Sequence, residues 1–136
     1  MIKTITTASV TALVGAVLFA APTNAASGHF GAIAYSPDDN KFGWVNHVAS
    51  KNDAIDGAIA QCETKGGTSC DWAAWNQDGC MAVLVDSDGN WAGGAGSTPK
   101  QAVKDAQKLA EKNGYTINSQ TPLAAICTSD TGPDAG

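Results

Sequence analysis

The stretch Gly31-Ala-Ile-Ala-Tyr-Ser36, followed by an Asp-rich turn, Trp44 and then Ser50 ahead of an Ala/Ile segment, decides the fold because it recurs. About fifty residues on, Met81-Ala-Val-Leu-Val85 leads into a second Asp-rich turn, Trp91, and Thr98-Pro99 ahead of an Ala/Val/Leu segment. A repeat at this period means that each copy is one supersecondary unit unable to bury its apolar face alone. Within the first copy, Phe30 to Ser36 reads as a strand, residues 36–40 as a turn, and Phe42 to Val48 as the returning strand of a hairpin. Ser50 and Asp53 have the spacing of a helix-capping box, and Ala54, Ile55, Ala58, Ile59 and Cys62 then form a stripe at helical spacing. After Gly66-Gly67, Cys70 to Asn76 reads as a third strand.

The second copy gives Cys80 to Val85, Asp86 to Asn90, and Trp91 to Ala95, with Thr98 as cap, Pro99 in the first helical position and Gln101 completing the box. Its helix carries Ala102, Val103, Ala106, Leu109 and Ala110 on the expected inner face and stops at Gly114; Leu123 to Cys127 closes the unit. The expected fold is therefore α+β. Two strand-strand-helix-strand repeats, halves at about 28–78 and 79–128, share one pseudo-symmetric domain with mainly antiparallel sheet and two helices. Strand alanines (Ala32, Ala34, Ala82) alternate with Ile33, Tyr35, Val83 and Val85, so both faces of the sheet should be at least partly covered.

Residues 1–25 read as a signal peptide. Lys3 supplies a positive start, Ala8 to Ala21 an apolar core too short to span a bilayer, and Thr23 and Ala25 the small residues of a cleavage site between Ala25 and Ala26. Residues 129–136 read as a disordered tail. The formal net charge is −5 and the chain has no Arg, which argues against a nucleic acid partner and, after signal removal, against anionic membranes.

Four cysteines in an exported chain imply two disulfides, with three possible pairings. Cys62 near a helix end and Cys70 just past the Gly66-Gly67 turn are easily joined, leaving Cys80 for Cys127. The chain-entropy model values these links at about 2.5 and about 4 kcal/mol. The cysteines lack the close pairs of a structural zinc site, so no metal and no cofactor is expected.

Gly31-Ala-Ile-Ala-Tyr-Ser36, Gly43-Trp44, the helix ending in Cys62, Cys70 with Trp75 five residues on, and the closing Cys127 together resemble an exported bacterial family, domain of unknown function 4189. The resemblance covers roughly residues 29–128. It implies export, the disulfides and the repeat, and carries over no catalytic residue. Many members look as if they bear a further cysteine pair where this chain has Ala110 and Gln120, implying a looser second half.

Asp86-Ser-Asp-Gly-Asn90 has the front of a calcium loop, but its twelfth position is Ser97, so a hairpin turn is expected. His47 and the chain's only other histidine, His29, accompany no nucleophile elbow or zinc-peptidase motif, and no catalytic residue is assigned. Trp44 and Trp91 occupy matching places in the repeats; Trp72 and Trp75, three apart on one strand, should point to opposite faces. The expected function is a secreted, non-enzymatic binding or effector module for a protein or carbohydrate, its candidate surface at Trp44, His47 and Trp75. The alternatives are a small extracytoplasmic hydrolase using His47 on envelope material, or an inhibitor of a secreted enzyme presenting the turns at 37–41 or 86–90.

Overall fold

The computed structural model describes residues 29–117 and 122–130. The segment read as a signal peptide, Gln120 and residues 131–136 lie outside the described residues. The chain runs β1 (Phe30–Ser36), β2 (Lys41–Val48), α1 (Lys51–Thr64), β3 (Asp71–Gln77), β4 (Cys80–Val85), β5 (Trp91–Gly96), α2 (Pro99–Lys112) and β6 (Ala124–Cys127). Each half thus has the order strand, strand, helix, strand. Each makes a three-stranded antiparallel sheet with its first strand in the middle, β2-β1-β3 and β5-β4-β6. The fold is the expected α+β, and the disulfides join Cys62 to Cys70 and Cys80 to Cys127.

Strand alternation builds four layers. On β1, Ala32 and Ala34 face α1 with Ala54, Ala58 and Cys62; on β4, Cys80, Ala82 and Leu84 face α2 with Ala102, Ala106 and Ala110. The alternate residues Ile33, Tyr35, Met81 and Val83 meet between the sheets, joined by Ala124 and Ile126 of β6. Both sheets are therefore covered on both faces, which is why neither strand face reads as polar.

Small residues set the spacing of the layers. A Cβ at Gly43 of β2 would stand 2.3 Å from the backbone nitrogen of Cys62, and one at Gly94 of β5 would stand 2.3 Å from that of Ala106. Each helix thus lies almost on strand backbone, and only a narrow stripe of it is covered. Leu109, expected on the inner face of α2, falls outside that stripe and is 44% exposed.

Both helices begin and end as their sequences dictate. Ser50 Oγ accepts from the Asp53 amide at 3.2 Å and Thr98 Oγ1 from the Gln101 amide at 3.2 Å. The return arm of the second box lands one residue early, since Gln101 Oε1 accepts from the Ser97 amide at 3.1 Å. At the other end the Gly67 amide donates to Cys62 O at 3.0 Å and the Tyr115 amide to Ala110 O at 2.9 Å, each just past a glycine with positive φ, Gly66 and Gly114.

Two bulges break strand parity. On β3 the register passes from Ile33↔Ala74 to Ala34↔Trp72, leaving Ala73 unpaired, so Trp72 and Trp75 sit opposite Ala34 and Ala32, on the same face. The expectation that they point to opposite faces is corrected by that one extra residue. On β2 the register passes from Ala32↔Val45 to Phe30↔Val48, and His47 takes φ 59°, so the strand's alternation breaks at His47. The tryptophan match needs correcting too. Phe42 lies opposite Tyr35 and Trp91 opposite Val85, whereas Trp44 lies opposite Ile33 and Gly93 opposite Val83. The partner of Trp91 in the first half is therefore Phe42, and Trp44 corresponds to Gly93.

Past β6 the chain is held as far as Asp130. Thr128 is buried, its amide donates to Gly79 O at 2.8 Å, and its hydroxyl accepts from the Gly79 amide at 3.1 Å. Asn46 Nδ2 donates to Asp130 O at 2.9 Å, and Asp130 Oδ2 accepts from the Cys127 amide at 2.8 Å.

Candidate functional site

The free edges of β3 and β5 approach one another where Asn76 Nδ2 donates to Gly96 O at 3.1 Å and, most closely, at Gly93. A Cβ at Gly93 would lie 1.9 Å from Ala73 O, so the bulged carbonyl fits only because β5 has no side chain there. Beside that point lies an open groove of about 740 Å³, floored by Ala73, Ala74 and the Ala92–Ala95 backbone. Its walls are Trp72 and Trp75 from β3, Trp91 from β5, and Leu109, Asn113 and Tyr115 from α2 and just beyond. Asp71 and Asp105 stand at its rim.

Among the described residues the exposed large apolar side chains are Trp72 at 46%, Leu109 at 44% and Tyr115 at 41%, and all three line this groove. Each has a local cause. Trp72 is turned by the Ala73 bulge, and its backbone amide donates to the Asp71 carboxylate at 2.8 Å. Leu109 lies off the narrow buried stripe of α2, and Tyr115 follows the helix-stopping Gly114. The other two indoles are engaged. Trp75 stacks on Phe30 with ring centroids 6.3 Å apart and carries Lys51 Nζ 4.4 Å from its ring centre. Trp91 lies tilted against Tyr35 at 5.6 Å. Asp105 uses one oxygen to accept from the Ala95 amide at 3.0 Å, which pins α2 to β5.

The three residues expected to form one surface are separated. Trp44 packs against the cluster between the sheets, Trp75 against the cluster under α1, and His47 is half-buried at the β2 bulge. Of the three only Trp75 lines the groove. Among the described residues no carboxylate comes within ion-pair distance of His47; it is His29 that meets one, Asp78, at 3.0 Å on the surface. Among the described residues, no three His, Cys, Asp or Glu gather as a metal site.

Of the two turns proposed as protruding loops, the first is folded back onto Thr68 and the second is braced only within itself. Asp39 accepts from the Thr68 amide at 2.6 Å, the Thr68 hydroxyl at 2.7 Å and the Ser36 hydroxyl at 2.8 Å. The Thr68 hydroxyl, then the Thr68 amide and Ser36, hold its carboxyl below the usual carboxylate range. Asp86 accepts from the Asp88 and Asn90 amides at 2.9 Å each and from the Asn90 side chain at 3.0 Å. The Asn90 side chain, foremost, lowers its pKa. Its carboxylate is thus committed within its own turn, the arrangement of a hairpin rather than a cation loop.

The groove residues that sequence reading missed had a signal in part. Trp72 stands out in the sequence, but strand parity puts it on the wrong face, whereas Leu109 and Tyr115 gain meaning only from how narrowly α2 is covered.

Fold and site together define a class: a disulfide-stapled α+β domain of two back-to-back three-stranded sheets, each backed by one helix, with an aromatic groove at the meeting of two sheet edges. Residues 30–128 match the family model described as "Domain of unknown function (DUF4189)", and the chain belongs to that family. No curated protein and no solved structure matches the chain.

Proposed function

We propose that the protein is an exported, non-enzymatic binding module whose groove receives an extended segment of a partner protein bearing an apolar and a cationic side chain. The observation that carries this reading is the gathering of Trp72, Leu109 and Tyr115 in one groove. Scattered exposed apolar residues need no explanation, but clustered ones mark contact sites, and Trp and Tyr dominate binding energetics where they occur. The rim supplies the preference for positive charge. Asp71 and Asp105 attract it, and an indole face with an open side attracts a cation within about 6 Å. Lys51 over Trp75 is an internal instance of that contact. Export is supported by the leader-like residues 1–25 and by two disulfides, which persist in oxidising compartments. Among the described residues no helix is long and apolar enough to cross a membrane.

Peptide-library selection on the purified protein tests the reading. Enriched sequences should pair Lys or Arg with a large apolar residue and lose most of their binding to Trp72→Ala. Selection of no consensus, or binding unchanged in both Trp72→Ala and Leu109→Ser, would sink it.

A further inference from the structure

The aromatic groove lies between two sheet edges, so a segment seated in it can be read through main-chain pairing with an edge or through side chains alone. The state of the edges decides between the two. On β5 the Asp86 amide donates to Asn90 O at 2.9 Å, so Asn90 faces β4 and the main-chain groups of Trp91, Gly93 and Ala95 face outward at alternate positions. Two of those three positions are already in use. The Ala95 amide donates to Asp105 Oδ2 at 3.0 Å, and Gly93 abuts the Ala73 main chain. On β3 the Trp72 amide donates to Asp71 Oδ1 and the Gln77 amide to Asn76 Oδ1, each at 2.8 Å. The protein's own side chains thus cap groups that an added strand would need, one way in which an edge is closed to further pairing.

What the groove offers instead is ring faces, those of Trp72, Trp75, Trp91 and Tyr115. Its polar side chains are partly spent. Besides the two carboxylates, Asn113 donates through Nδ2 to Leu109 O at 3.0 Å. Few side-chain groups are left to hold the many hydroxyls of a sugar. Asp71 and Asp105, both exposed, each keep a second carboxylate oxygen for a cation.

We propose that the groove takes a polyproline helix, a proline-rich segment of a partner protein flanked by Lys or Arg. This ligand rests on the reading of the groove as a peptide site and gives that peptide its conformation. A polyproline helix needs no ladder, because its backbone makes no internal hydrogen bonds and proline has no amide to leave unpaired. Its pyrrolidine rings pack on aromatic faces, and its preset backbone loses little freedom on docking. The charges also match, since the carboxylate rim complements the flanking cation.

The test is fluorescence anisotropy with two labelled peptides of equal length, titrated with the purified protein. One repeats Pro-Pro-Leu after a terminal Arg; the other has Val in place of every Pro. The valine peptide keeps the apolar and cationic side chains but favours a β-strand. The proline peptide should bind at least about tenfold tighter, because its bound conformation is already formed. Trp72→Ala should weaken that binding by about tenfold or more, as loss of an aromatic anchor does. Asp71→Asn/Asp105→Asn should weaken it by about threefold, the scale of exposed ion pairs, while Lys41→Gln leaves it unchanged. Should Trp72→Ala alter the circular dichroism spectrum, Tyr115→Ser carries the test, with weakened binding expected. Equal or tighter binding of the valine peptide, lost in Trp72→Ala, would overturn the polyproline mode and leave the peptide-site reading standing. Binding of neither peptide would also overturn it. Binding of chitohexaose in place of both, dependent on Trp72, would overturn the peptide-site reading with it.

Discussion

The two helices stop in the same way and open onto opposite surroundings. Past α1, Gly67 lies beneath the Cys62–Cys70 bridge, where a Cβ would stand 2.3 Å from Cys70 Sγ. Past α2 the matching position is Tyr115, which is 41% exposed on the groove. The residue matching Cys62 is Ala110, buried with Leu84 and Ile117. The hairpin turns diverge likewise: Asp39 reaches across to the residues before β3, whereas Asp86 satisfies only its own turn. One order of strands and helix thus supports a closed corner in the first half and an open groove in the second. The difference lies in side chains and in the one-residue bulges of β2 and β3, not in the order of the elements.

Removing the cross-links should test that contrast most strongly. Cys80 and Cys127 face each other directly on β4 and β6, so their bridge ties the last strand to the middle of the second sheet. Replacing both with Ala is expected to cost about 4 kcal/mol, against about 2.5 kcal/mol for the Cys62/Cys70 pair, from the loop lengths closed. Chemical denaturation of the two double variants reads both values; a larger loss from the first-half pair would reverse the assignment of which half depends more on its bridge.

Gly93→Ala probes the place where Trp44 has no counterpart. Its Cβ would collide with Ala73 O, so the β3–β5 approach must open, at about 3 kcal/mol or somewhat more. The expected signature is a lowered melting temperature together with increased exposure of Trp72 and Trp91, measured by fluorescence quenching. An unchanged melting temperature would mean that the two edges do not touch there.

The smallest effects concern the turns. Asp39 has its pKa lowered on folding, so its contribution is present above the unfolded carboxylate value and is lost as pH falls through the folded value. Asp39→Asn should lower the melting temperature by several degrees at neutral pH, with the gap to wild type closing as the solution is acidified. Asp86→Asn, whose bonds stay within one turn, should show a smaller gap with the same sign.

Periodicity and capping residues made most of the fold legible: the element order, the alanine faces, the helix caps and the Cys62–Cys70 bridge follow from local spacing, and Cys80–Cys127 from what that bridge leaves. What escaped was whatever depends on one added or missing residue. The Ala73 bulge reverses the parity that puts Trp72 and Trp75 on opposite faces. Only five residues separate Val85 from Trp91, against six between Tyr35 and Phe42, which displaces Trp91 from Trp44 onto Phe42. A strand has a period of two, so a single-residue change flips every later assignment, and no local composition announces it. Leu109 illustrates a different gap. Helical spacing says which residues share a face but not how wide a face the neighbouring sheet will cover, and Gly94 under α2 makes that face narrow.

The position of β6 also sets the timing of folding. The first sheet has all its strands once residue 77 has emerged, but β4 and β5 remain a bare hairpin until residues 124–127 are made, and an isolated hairpin is marginal in water. Thr128 and Asp130 then anchor that last strand to Gly79 and Asn46, contacts that span 49 and 84 positions of the chain. Cys62 and Cys70 can therefore pair early, while Cys80 waits for Cys127 through the synthesis of the whole second half. Completion of the second sheet waits for residues 124–127, so a product truncated before residue 127 keeps a reactive thiol at Cys80 and an unfinished second sheet.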